Sequence, residues 1–383
     1  MDAREQKGLE IAARLPLHKY SDRWMVPSQS GGGIYTVHVN GDAADCTCAD
    51  FQTRQLPCKH IHAIRFVEER ERGPIQVPLT SQRQDRPTYP QDWKAYHRAQ
   101  RNEKHEFMRL LYDLCQTIPQ PEYEFGRPRL ALAGTVFGAA LKVYSTLSGR
   151  RAMGDLDIAQ EKGYLAQVPH YSTLYRYMDS DDLTPVLHNL IGVASAPLRL
   201  VESQFAADSS GFSTSRFDRW YDEKYGRERS QRLWVKAHIM VGTKTTIITA
   251  VTVTDRDAND YPHLPGLVDA TVQRFAVKQV SADKAYLGES NLAAIAKAGA
   301  EAFIPLKVNS TPGGSELWTR LYGYFMYNRA DFLDYYHRRS NVETTFSMVK
   351  AKFGDSVRSK TDAGQRNEVL LKVLCHNVCV LIQ

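Results

Sequence analysis

Apolar residues recur along this chain with more than one period. Near the N-terminus they alternate: Tyr20, Trp24 and Val26, then Ile34, Tyr35, Val37 and Val39, on either side of Ser30 and three glycines. Two such runs about a glycine-rich turn predict a β-hairpin over residues 20–40. His62, Ala63, Ile64, Phe66 and Val67 then predict a short helix. Residues 69–91 lose any period and mix charge with Pro74, Pro78, Pro87 and Pro90, the pattern of a linker or extended strap.

Helical spacing takes over from residue 92. Leu111, Leu114, Cys115 and Ile118 fall on one side of a helix over 92–118, ended by Pro119 and Pro121. Residues 128–148 are apolar on most faces, as expected of a helix buried in a helical domain or a dimer interface. Helices over 153–162 and 170–178, with Gly163 between them and Ser172 as the expected cap, give two readings. One is a helix-turn-helix presenting Ser172, Thr173, Tyr175 and Arg176 to a DNA groove; the other is plain helical packing. A last helix is expected over 183–194.

Beyond residue 201 the rhythm becomes that of strands. Gln204–Ala207 leads into Asp208, and Val, Ile and Thr alternate over 233–241 and 246–254. A helix over 264–275, a strand over 277–282 ending at Asp283, a helix over 291–298 and a short strand over 302–305 follow. Three strands, helix, strand, helix, strand, helix is the RNase-H-like order, an α/β sheet of mixed strand direction. In that order the first and fourth strands are neighbours, which brings Asp208 and Asp283 together.

The helix over 336–350 carries two stripes. Val342, Phe346, Val349 and Phe353 are spaced to dock on a core. Tyr336, Arg339, Glu343 and Lys350 fall within about 60° of one another on a helical projection. The bland reading is a solvated face. The upstream aspartates favour another, because three converging carboxylates repel one another unless cations are present. Two Mg²⁺ ions would relieve that repulsion, activate a water or 3′-hydroxyl, and stabilise the leaving oxygen in attack on a phosphodiester.

Composition narrows the classes. The 383 residues exceed one small domain, and 43% hydrophobic content is enough for real cores. No apolar run reaches about 18 residues and the charged start, Met1 to Glu5, lacks a signal-peptide core, so a cytoplasmic, nucleoid-associated protein without a membrane partner is expected. A formal charge of +6 permits a polyanionic partner. Six cysteines in such a chain point to metal or free thiols rather than disulfides.

Cys46-x-Cys48, nine residues, then Cys58-x-His60 supply three thiolates and an imidazole, the donor set of a closed tetrahedral zinc site. The competing readings are three buried thiols that fall close together, and His62 in place of His60. This stretch resembles the SWIM zinc finger, with Asp50–Phe51 and Pro57 at the positions where that family usually has an aromatic residue and a proline. The resemblance implies structural Zn²⁺ and binding to DNA or protein. Cys375, His376 and Cys379 are a weaker candidate for a second metal site.

Residues from about 200 onward resemble the DDE transposases of bacterial insertion sequences, in the branch marked by Tyr-x2-Arg-x3-Glu-x6-Lys. Tyr336, Arg339, Glu343 and Lys350 match that spacing at every position. Asp208 in Ala-Asp-Ser-Ser-Gly and Asp283 in Ser-Ala-Asp-Lys-Ala-Tyr resemble the family's two aspartates. The segment 127–200 resembles the family's N-terminal helical part, and the stretch between Asp283 and Glu343 has no room for the β insertion of some relatives. The resemblance implies that Asp208, Asp283 and Glu343 bind Mg²⁺ or Mn²⁺, that Arg339 and Lys350 hold DNA phosphates, and that Tyr336 contacts DNA or steadies a phosphate. It implies a transposase that cuts its element's ends and joins them to target DNA, acting on double-stranded terminal repeats as a homodimer. The alternatives are a transposase-derived DNA-binding protein without catalysis and a metal-dependent nuclease without strand transfer. Asp255, Asp257 and Asp260 form a rival acidic group, taken as loop and cap residues. The expected organisation is a zinc-binding module over 1–70, a linker and helix over 71–126, a helical DNA-binding or dimerisation domain over 127–200, and the catalytic domain over 201–383.

Overall fold

The computed structural model describes residues 2–14, 17–29, 33–40, 43–72, 92–122, 125, 130–214 and 234–382. The tip of the predicted hairpin, most of the predicted linker, the first residues expected of the helix over 128–148 and Leu233 lie outside the described residues. The chain forms two compact units, Met1–Pro90 and Gln91–Gln383.

In the first unit, helix α1 (Ala3–Arg14) precedes an antiparallel sheet of β1 (His18–Tyr20), β2 (Arg23–Pro27), β3 (Ile34–Asn40) and β4 (Ala43–Cys46), in that order. The predicted hairpin is β2–β3. Trp24 pairs with Val37, and Val37 with Cys46, so strand alternation sends these side chains to one buried face. Helices α2 (Ala49–Arg54) and α3 (Lys59–Arg72) close that face with Phe51, Ile61, Ile64 and Val67. The third helix is longer than its apolar run suggested. Helix α1 escaped the pattern because Ile11 is its one fully buried hydrophobic residue. Its approach depends on Gly8: a Cβ there would sit 2.6 Å from that of His62.

The second unit begins with α4 (Trp93–Cys115), α5 (Leu132–Tyr144), α6 (Gly149–Glu161), α7 (Tyr171–Met178) and α8 (Leu183–Ser195). Gly163, at φ +81°, turns the chain after α6 as expected. The α7 cap is His170, whose Nδ1 accepts from Ser172 N, so the expected cap at Ser172 is corrected: that residue lies inside the first turn. Ser172, Tyr175 and Arg176 are exposed, and Thr173 is half-buried.

The sheet follows: β5 (Gln204–Ser213), β6 (Trp234–Gly242), β7 (Ile248–Asp255), helix α9 (Leu264–Val272), β8 (Gln279–Ala282), helix α10 (Glu289–Lys297) and β9 (Glu301–Phe303). Its order is β7-β6-β5-β8-β9, antiparallel on the β6–β7 side and parallel from β5 to β9. The first and fourth strands of this sheet are therefore neighbours. Helices α11 (Glu316–Tyr327), α12 (Arg329–His337), α13 (Ser340–Phe353) and α14 (Asp362–Ile382) complete the unit.

Three features depart from the pattern. Strand β5 continues to Ser213 instead of ending at Asp208, because β6 stays paired with it after β8 has stopped. Helix α11 was hidden behind the polar stretch that precedes it. The predicted single helix over 336–350 is broken at Arg338–Arg339 by a turn tightened with i→i+3 bonds. One core joins α4–α8, α13 and α14 to Ala206, Phe212, Ile239 and Val241 of the sheet; another joins α9–α12 to Phe205, Ala207 and Val280.

Candidate active site and metal centre

Parallel pairing of β5 with β8 ends at Ala207 and Ala282, so the next residue of each strand is an aspartate and the two stand side by side. Asp208 points to the face covered by α13, as does Ser210 two residues on. The Arg339 guanidinium spans the gap: Nη1 donates to Asp208 Oδ2 and Nη2 to Glu343 Oε1, both at 2.6 Å. The other Asp208 oxygen accepts from Ser209 N at 2.8 Å. Burial pushes the Asp208 carboxyl above its ordinary value, with Arg339 and the Ser209 N–H pulling the other way and Asp283 adding to the rise. Asp283 Oδ1 accepts from Lys284 N at 2.6 Å and so caps the short turn Lys284–Tyr286 while flanking Asp208.

The helix that brings Glu343 is anchored at both ends. Arg338 Nη1 donates to Gln204 Oε1, and Asn341 Nδ2 to Thr243 O, each at 2.6 Å. Lys350 Nζ donates to Ser210 Oγ at 2.7 Å, over the rings of Phe212 and Phe346, and burial lowers its pKa. The Tyr336 ring lies 5.8 Å from the Arg339 guanidinium carbon. The Glu343 side chain is 59% exposed and that of Asp208 21%, so the acidic end of the stripe is open to solvent.

In the first unit, one ligand atom from each of Cys46, Cys48, Cys58 and His60 lies within 4.8 Å of the others, and all four residues are buried. Zn–S bonds of about 2.3 Å set tetrahedral edges near 3.8 Å. Cys46 Sγ and Cys58 Sγ lie 3.8 and 3.9 Å from His60 Nδ1. Backbone N–H groups of Cys48 and Phe51 donate to the sulfurs of Cys46 and Cys48. Hydrogen bonds from Cys46 and then His60 hold the Cys58 thiol down to about 3. The same bond to Cys58 pushes Cys46 up, and burial pushes Cys48 up, so the second and third thiolates need a cation. The donor set fits zinc, with His60 and not His62 directed at the sulfurs.

Residues 199–378 match the family described as Transposase DDE domain, and residues 35–64 match the SWIM zinc finger. The chain carries a transposase DDE domain and a SWIM zinc finger. The DDE match runs from just before β5 into α14 and contains Asp208, Asp283 and Glu343; the SWIM match contains all four Cys/His ligands. No solved structure matches the chain.

On α14, Cys375, His376 and Cys379 form no metal group among the described residues: Cys375 Sγ faces Ala140 O and His376 Nε2 donates to Thr246 O. Sequence reasoning passed over one group at the strands that carry Asp208 and its neighbours. Asp260 Oδ1 accepts from Ser209 Oγ at 2.7 Å and pairs with Lys236 Nζ at 2.6 Å. The available signal was Lys236 and His238, two polar residues alternating inside an otherwise apolar strand.

Proposed function

We propose that this chain is a transposase that binds the ends of its own mobile element, cuts them by metal-dependent phosphodiester hydrolysis, and joins them to target DNA. The observation that carries the proposal is the bridging guanidinium: Arg339 holds Asp208 and Glu343 together at 2.6 Å each, beside Asp283. Carboxylates from two adjacent strands and one helix thus share a solvent-facing site on an RNase-H-like sheet.

The oxygen donors of Asp208, Asp283 and Glu343 suit Mg²⁺ or Mn²⁺, which would supply activation of the attacking water or 3′-hydroxyl and stabilisation of the leaving oxygen. Arg339 keeps the carboxylates neutralised until a phosphate offers its guanidinium a competing bidentate partner. Lys350, seated over two rings and against Ser210, presents a fixed positive charge to the DNA backbone. Tyr336, its ring 5.8 Å from the Arg339 guanidinium carbon, contacts DNA or steadies a phosphate through its hydroxyl. Either the zinc finger or the exposed side of α7 carries recognition of the element ends, and double-stranded DNA is the partner of a homodimeric complex.

The test is incubation with Mg²⁺ and DNA carrying the flanking element ends, followed by gel analysis. Nicks together with joined products are expected; nicks alone would indicate a nuclease, and neither would end the proposal. Glu343→Gln keeps the shape and removes a ligand, so cleavage should fall by several orders of magnitude while DNA binding persists. Cutting at the wild-type rate would remove Glu343 from the site.

A further inference from the structure

Strand alternation sends Ser209 to the face opposite Asp208, where its cross-strand neighbour is His238. There Asp260 Oδ1, from the loop after β7, accepts from Ser209 Oγ at 2.7 Å and pairs with Lys236 Nζ at 2.6 Å, with His238 Nδ1 3.3 Å away. The His238 side chain is fully buried, and the geometry at Nδ1 leaves that atom without a hydrogen bond. The Tyr286 hydroxyl, one short turn after Asp283, is also buried without a hydrogen-bond partner. Burial, and then the charges of Asp260, Asp208 and Asp283, push that phenol up.

Ionic and polar groups clustered in a sheet interior cost desolvation that well-packed apolar side chains would avoid. What this cluster touches gives it a purpose. Lys236 holds Asp260, Asp260 holds the Ser209 hydroxyl, and the Ser209 N–H donates to Asp208 Oδ1. The other oxygen, Oδ2, is the one that Arg339 grips from the front. We propose that Asp260 is a positioning residue for the first carboxylate of the DDE site. Acting through Ser209, it fixes the Asp208 plane so that Oδ2 faces the cation site. The inference rests on the reading of Asp208 as a metal ligand. Partners that orient a ligand in this way typically carry 10–100-fold in metal affinity.

The experiment is Mn²⁺ titration of the full chain, followed by calorimetry or by the spin signal of free Mn²⁺. Asp260→Asn and Ser209→Ala should each weaken Mn²⁺ binding by about 10–100-fold. The double variant should lose no more than the worse single one, since both break one chain of contacts. Should Asp260→Asn fail to fold, Ser209→Ala decides alone, because it deletes one oxygen and leaves the Asp260–Lys236 pair intact. Wild-type affinity in the folded variants, or additive losses in the double variant, would overturn the inference. Asp208→Asn separates that failure from failure of the underlying reading. If Asp208→Asn abolishes binding while Asp260→Asn does not, only the positioning role falls. If wild type binds no Mn²⁺, or Asp208→Asn binds as wild type does, the metal reading falls with it.

Discussion

Arg339 occupies the place where positive charge is needed, and this sets its behaviour on substitution. If Asp208 and Glu343 hold divalent cations as proposed, its guanidinium, bound to both, would compete for them. Arg339→Ala should therefore tighten Mn²⁺ binding in the absence of DNA by about tenfold, or about 1.4 kcal/mol, while weakening DNA binding and cleavage. Unchanged Mn²⁺ affinity would show that the guanidinium does not compete. Asp208 carries a pH dependence with a definite sign. Burial raises its folded pKa, so as pH rises from the ordinary carboxylate value through the raised one, the unfolded chain ionises first and the metal-free fold loses stability. On the proposed metal role of Asp208, a divalent ion would bind the ionised form and offset that loss. The rise in melting temperature on adding Mg²⁺ should be full near neutral pH and vanish as pH falls through the raised pKa. A rise of equal size at about pH 4 and about pH 7 would contradict this account.

At the scale of elements, the helix bearing Glu343 and Lys350 is held by a buried cation. Lys372 Nζ donates to the carbonyls of Phe353, Gly354 and Ser356 at 2.8–2.9 Å, capping the C-terminal end of α13 where Gly354 turns with φ +84°. Lys372→Met fills the same space and leaves those carbonyls without their donor. The expected cost is about 2–4 kcal/mol in urea unfolding, and cleavage should drop as Lys350 loses its seat. Stability equal to wild type would mean that other groups or water take over the cap. The break at Arg338–Arg339 belongs to this scale as well. It lets one arginine reach Gln204 at the start of β5 and the next reach Asp208 in its middle.

At the scale of the whole molecule, the two units draw on different sources of stability. Among its described residues, Met1–Pro90 has a small core of about a dozen buried residues around the Cys/His group, and a core of that size is expected to depend on the zinc that group fits. Gln91–Gln383 is built on two larger cores that meet the sheet. Strong chelation, or Cys58→Ser, should therefore remove about one zinc per chain and abolish the melting transition of the first unit. The transition of the second should stay within a few degrees when measured without Mg²⁺. One merged transition shifted as a whole would contradict separate stability. Among the described residues no helix is long and apolar enough to cross a membrane.

The sequence by itself determined whatever depends on local period and spacing. The alternation of β2, β3, β6 and β7, the Cys-x-Cys and Cys-x-His pairs, and the Glu343–Lys350 part of the stripe were all legible, because neighbours along the chain fix them. Three-dimensional packing alone decided what lies across the chain. Asp208 became a mid-strand residue because β6 outruns β8, and the 336–350 helix broke where two arginines turn toward β5. Asp260 had every local mark of a loop acid. Only the pairing of Ser209 with His238, and the return of the loop after β7, put its carboxylate behind the strand that carries Asp208. Sequence period records which face a side chain takes; which charges meet there is set by strand order and register, and those come from the fold.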